Sequence, residues 1–217
     1  MTDFLYPFID AEERDAGSLL QDLARSAESK VALSDELRCV TLGLLDEDLE
    51  RAAANIAERF LAGGRLFAFG NGGSSTDAAA AVALFSRPPW GRALPARSLV
   101  ADHAVLTALA NDVGYELVFS RQLISTARPG DIALGLSTSG SSVNLLRAFA
   151  EARRLELLSV GLAGYDGGRM MSAENIDHCL VVRSDSVHRI QEVQSAVVFD
   201  LWSRVQRLVA AEGVNGG

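Results

Sequence analysis

The sequence predicts an α/β fold, with a mainly parallel sheet between helical layers, on three observations. From residue 65 onward, short apolar runs alternate with segments of helical period. Two of those runs end in turns rich in glycine and small hydroxyl residues, and each turn passes at once into a helix. Five runs joined by helices need crossover connections, and such connections favour a parallel sheet covered on both faces.

The elements follow in order. Residues 1–12 form an arm that holds Phe4, Tyr6 and Phe8 and is expected to pack on the body or on a partner. Residues 13–32 are helical in period, with Leu19, Leu20, Leu23, Ala24, Ala27 and Val31 as an apolar stripe. Residues 35–62 read as one or two further helices. Ser34-Asp35-Glu36-Leu37 can open the first, Asp46 can cap the second, and Gly63-Gly64 stops it. The strands are expected at 65–69, 96–100, 132–136, 157–162 and 179–182. The helices between them are expected at 75–86, 103–110, 115–127 and 141–153, with a short one from 169 and a long final one over 187–211. The predicted organisation is therefore an arm and helix over 1–34, the main domain over 35–212 and a flexible tail over 213–217.

Composition narrows the function. Lys plus Arg is 20 against 28 Asp plus Glu, a net charge of −8. That argues against nucleic-acid binding, which rests on cations at phosphates. Cys39 and Cys179 have no partner spacing, so no disulfide framework or zinc finger is expected. No signal peptide or apolar span is visible, so the expected location is the cytoplasm, without a membrane.

The first turn, Phe67-Ala68-Phe69-Gly70-Asn71-Gly72-Gly73-Ser74-Ser75-Thr76-Asp77, carries three glycines and three hydroxyls. Glycine lets backbone amides come close to a ligand, and a new helix offers free N–H groups to an anion. It is neither a Walker loop nor the dinucleotide fingerprint. The second turn, Ser137-Thr138-Ser139-Gly140-Ser141-Ser142, repeats the logic. Together they predict one bound phosphorylated small molecule.

These turns, with Ala110-Asn111-Asp112, Gly164-Tyr165-Asp166-Gly167-Gly168 and Arg189-Ile190-Gln191-Glu192, occur in an order that resembles the sugar isomerase (SIS) domain. The branch resembled is that of phosphoheptose isomerase and the DnaA initiator-associating protein. The resemblance covers about residues 35–212. It implies a three-layer fold with a five-stranded parallel sheet, an N-terminal helical arm and a homotetramer with sites between subunits. It also implies a phosphate pocket of Ser74, Ser137, Thr138, Ser139 and Ser142, with Asn71, Gly72, Asp112 and Gln191 toward the sugar.

The resemblance also implies zinc and an acid–base pair, and there the sequence departs from the family. Active members move a proton between C1 and C2 of sedoheptulose 7-phosphate through an enediol, which needs a base and an acid beside those carbons. The family's His and Glu, four apart on the helix after the first turn, are Ala80 and Leu84 here. Its His eight residues after the Gln is Phe199. No zinc or other cofactor is therefore expected. Two functions follow: a sugar-phosphate-binding sensor or scaffold, open to a protein partner, or an isomerase with a rearranged, metal-independent site. For the latter, His188 and Glu192 are the catalytic candidates, since with Gln191 they share a face of the last helix.

Overall fold

The computed structural model describes residues 16–215, and the side chains of 20–212. The aromatic arm at 4–8 lies outside the described residues. The chain divides into two units, Met1–Glu36 and Leu37–Gly217. Helix α1 (Ala16–Leu44) is continuous where the sequence offered a new start at Ser34. Lys30 to Arg38 holds no glycine or proline, and its Ala, Leu, Glu, Lys and Arg sustain a helix through a serine.

In the second unit, α2 (Asp46–Leu61) begins with Asp46, Glu47 and Asp48 at its positive end. Asp46 is not the cap: Leu45 holds that position without a side-chain bond, and Asp46 instead pairs with Arg204 at 2.6 Å. The α/β body follows as β1 (Leu66–Gly70), α3 (Gly73–Ser86), β2 (Ala96–Ser98) and α4 (His103–Asp112). A 3₁₀ turn at Tyr115–Leu117 then leads into α5 (Val118–Thr126), where the sequence suggested one helix. Next come β3 (Ile132–Ser137), α6 (Val143–Arg154), β4 (Leu158–Gly164), α7 (Gly168–Met171), β5 (His178–Val182) and α8 (Val187–Asn215). Helix α8 thus continues into the stretch expected to be a tail.

The five strands form one parallel sheet in the order β2-β1-β3-β4-β5. Both faces are covered, which is why the strands read as apolar runs rather than as alternation. Leu66, Ala68, Leu134, Leu136, Val160 and Leu162 face a core with α2, α3 and α8. Phe67, Phe69 and Ala133 face the other core with α5 and α6. There Phe69 packs on Phe119 and Phe149 at centroid distances of 5.3 and 5.4 Å. Gly135 makes room for them, since a Cβ would meet Phe149 Cζ at 2.5 Å. Each fully buried phenylalanine adds roughly 1.5–3 kcal/mol, so this cluster fixes the lower face of the sheet beneath the two turns.

The strand order reverses between β1 and β3. From β1 the chain crosses outward to β2, and later strands build on the opposite side. Open α/β sheets bind ligands outside the strand carboxyl ends at such a reversal. Gly70, the last residue of β1, pairs with Leu136 near the end of β3. The two hydroxyl-rich turns therefore start from neighbouring strands about 4.8 Å apart.

Candidate functional site

The first turn is shaped by its glycines. Gly72 has φ +54°, and Gly70 packs so closely that a Cβ would strike the Ser74 and Leu136 carbonyls. Helix α3 starts at Gly73, two residues before the sequence suggested. Ser75 Oγ and Thr76 Oγ1 turn back to donate to the Gly72 and Gly73 carbonyls at 2.6 and 2.5 Å. Of the three hydroxyl residues, Ser74 alone is buried within the turn, 4% exposed.

In the second turn, Ser137 Oγ lies 3.3 Å from Ser139 Oγ and 3.2 Å from Ser142 Oγ, and accepts from the Gly140 amide at 3.2 Å. Hydroxyl contacts of this length are long, since a good O–H···O bond is near 2.7–2.8 Å. The three hydroxyls are thus gathered but weakly committed, and can turn toward an anion. Ser142 precedes α6 without a side-chain capping bond. Thr138 is half-buried, and Ser139 is exposed. Two helix N-termini, of 14 and 12 residues, open beside this cluster, and each favours negative charge there.

Gln191 on α8 reaches the first turn. A Cβ on Gly73 would strike its amide, and Asp77 on α3 shares a hydrogen bond with it. The other Asp77 oxygen, Oδ2, is buried with no hydrogen-bond partner among the described residues. Burial pushes the Asp77 carboxyl above its usual range, and the bond to Gln191 draws it partly back. Sequence reasoning assigned Asp77 no role. Asp112 ends α4, exposed, and accepts from the Asn111 side chain at 2.8 Å. His188 and Glu192 are exposed near the start of α8, whereas Gln191 is half-buried against α3.

The Asp77 shift has a testable sign. The unfolded chain titrates this group near 3.8, and the folded chain titrates it higher. Its contribution to stability is full below 3.8 and is lost as pH rises through the folded value. Asp77→Asn removes that slope. Thermal melts are expected to show the variant gaining on the wild type between pH about 4 and about 7. An offset equal at both pH values would contradict the assignment.

The other histidines stand apart. His178 begins β5, at the opposite end of the sheet from the turns, and its Nε2 accepts from Asn55 Nδ2 at 2.9 Å. That partner comes from α2. Burial holds its ring below the usual histidine range. Asp102 caps α4, accepting from the Val105 amide at 3.1 Å, and His103 is the first residue of the helix. Burial pushes the Cys179 thiol up to about 11, which disfavours its thiolate.

Residues 39–164 match the SIS domain family. The chain belongs to that family. Within it, a phosphoheptose isomerase of Paramagnetospirillum magneticum is 40% identical over 84% of this chain and 95% of its own length. One from Roseiflexus is 41% identical over 74% of this chain and 81% of its own. The solved phosphoheptose isomerase of Neisseria gonorrhoeae superposes with a TM-score of 0.79 at 29% identity, covering 85% of this chain and 99% of that one. The SIS chain described here is therefore placed in the phosphoheptose isomerase group.

The residues at the positions where the resemblance implies zinc supply no ligands for it. Ala80 is exposed and Leu84 half-buried on α3, and neither can ligate a metal. Phe199 on α8 is 51% exposed and packs on buried Trp202 at 5.2 Å, with Trp90 on the far side at 4.7 Å. Among the described residues, no three His, Cys, Asp or Glu side chains are grouped to hold a metal. The donor set does not fit zinc. No described helix is long and apolar enough to cross a membrane.

Proposed function

We propose that this SIS chain binds a sugar phosphate of the sedoheptulose 7-phosphate type and performs no zinc-dependent isomerisation, serving as a sensor or scaffold. The observation that carries the reading is the paired turn: the Ser139 and Ser142 hydroxyls within 3.3 Å of a third, that of Ser137, beside two helix N-termini at the strand reversal. The phosphate binds there, and Asn71, Gly72, Asp112 and Gln191 face the sugar. Enediol chemistry needs groups that give and take a proton at C1 and C2. Alanine, leucine and phenylalanine at 80, 84 and 199 supply none. An assembly of like chains, expected as a tetramer, and a protein partner belong to the same proposal.

A second reading is favoured by the names that relatives near 40% identity carry. In it the chain is an active, metal-independent isomerase, with His188 and Glu192 as the acid–base pair. Calorimetric titration with sedoheptulose 7-phosphate tests what both readings share. A saturable heat at about one ligand per chain is expected. No heat at millimolar ligand would contradict phosphosugar binding and both readings with it.

A further inference from the structure

The side chain of Asn71 is oriented by a chain of bonds from two elements, α6 and the 3₁₀ turn. The Leu145 amide donates to Asn144 Oδ1 at 3.1 Å, which fixes which end of the buried Asn144 amide is oxygen. Asn144 Oδ1 therefore accepts from Asn71 Nδ2, and Asn144 Nδ2 donates to Asn71 Oδ1, both at 2.9 Å. Tyr115 lies on the 3₁₀ turn, 51% exposed, and its hydroxyl reaches Asn71 Oδ1 at 2.8 Å. That atom is already set as an acceptor, so Tyr115 must donate to it.

The inventory of each group then decides what remains. A carboxamide oxygen has two lone pairs, and both on Asn71 are used. Its NH₂ has two hydrogens; one goes to Asn144, and the second has no bond among the described residues. A phenol has one hydrogen and acceptor capacity besides. The Tyr115 hydrogen is committed, so its oxygen can only accept from anything that arrives. The Asn71–Tyr115 pair thus offers one donor and one acceptor side by side, at the mouth of the first turn. A sugar hydroxyl, which donates and accepts at once, fits that pair. A bare anion has nothing to give the acceptor.

We propose that Tyr115 is a specificity residue: with Asn71 it reads one hydroxyl of the bound sugar phosphate, Tyr115 Oη accepting and Asn71 Nδ2 donating. This rests on the phosphosugar reading above. The ligand it selects carries a hydroxylated chain beyond the phosphate, rather than phosphate alone.

The test is calorimetry on wild type and Tyr115→Phe with two probes, sedoheptulose 7-phosphate and inorganic phosphate. Phenylalanine keeps the ring and its packing, and the two bonds to Asn144 still hold the Asn71 amide, so a merely structural role would leave the ratio of the two affinities unchanged. The expected result is a roughly 3–10-fold weaker Kd for the sugar phosphate. The inorganic phosphate Kd is expected to stay within about twofold, because no Tyr115 contact to phosphate is invoked. Unchanged affinities, or equal losses for both probes, would overturn the role of Tyr115 while leaving the phosphosugar reading standing. A wild type that binds inorganic phosphate but no sugar phosphate would overturn that reading, and this proposal with it.

Discussion

Carrying Ala80→His, Leu84→Glu and Phe199→His together, the protein is expected to retain zinc through dialysis while the wild type retains none. Positions 80 and 84 are one turn apart on α3, which places two new ligands on one face. Helix α3 packs against α8, and α8 already brings Gln191 to the first turn. The three substitutions restore the donor types that the resemblance assigns to those positions, two imidazoles and a carboxylate. Ala80 and Phe199 are exposed and Leu84 is half-buried, so the new side chains displace little core. Zinc that binds only the folded state at a hundred times its Kd adds about 2.7 kcal/mol of stability. A metal-dependent rise in melting temperature therefore accompanies retention, and metal analysis gives the stoichiometry. A folded triple variant without zinc would contradict the placement of these three positions around one centre.

Gly140→Val is expected to abolish sugar-phosphate binding and to lower stability. Gly140 has φ +60°, where a β-branched residue is an outlier. A Cβ there would strike the Gly167 carbonyl and sit 3.2 Å from Ala163 Cβ. Backbone, not a flexible tip, would have to yield. Strain of this kind costs about 1–3 kcal/mol. The turn is tied at both ends, by Gly140 N–H to Ser137 Oγ at 3.2 Å and by Met170 N–H to the Gly140 carbonyl at 2.8 Å. Relief of the strain must therefore move Ser137, Ser139 and Ser142 apart. Calorimetry beside a melting curve checks both effects. A variant that melts lower yet binds sedoheptulose 7-phosphate like the wild type would separate the second turn from the ligand.

Much of this architecture is legible in the chain because its signals are local. Glycines at 70 and 140 stand where backbones nearly touch, Gly72 takes a positive φ, Gly73 leaves room for the Gln191 side chain, and hydroxyls follow them where helices begin. Period alone gave the strands to within a few residues. Other features depend on distant pairing. Ser34 looks like a helix start, but the helix formers around it carry α1 through. Asp46 looks like a cap, yet Arg204, 158 residues away, claims its carboxylate. Asn144 and Tyr115 belong to the site only because β1, α6 and the 3₁₀ turn converge on Asn71, a juxtaposition no spacing encodes. Asp77 was in plain view at the end of the first turn. Its burial against Gln191 required α8 to cross α3, which topology decides.

The central proposal is that this SIS chain holds a sugar phosphate and does not isomerise it, with or without zinc. The direct measurement is ³¹P NMR of sedoheptulose 7-phosphate mixed with the protein, without and with added zinc, and followed over hours, with Gly140→Val as the control. The account predicts a broadened or shifted phosphate resonance with the wild type alone, and no new aldose phosphate resonance in any sample. A heptose phosphate resonance that grows with wild-type protein and is absent with the control would contradict it.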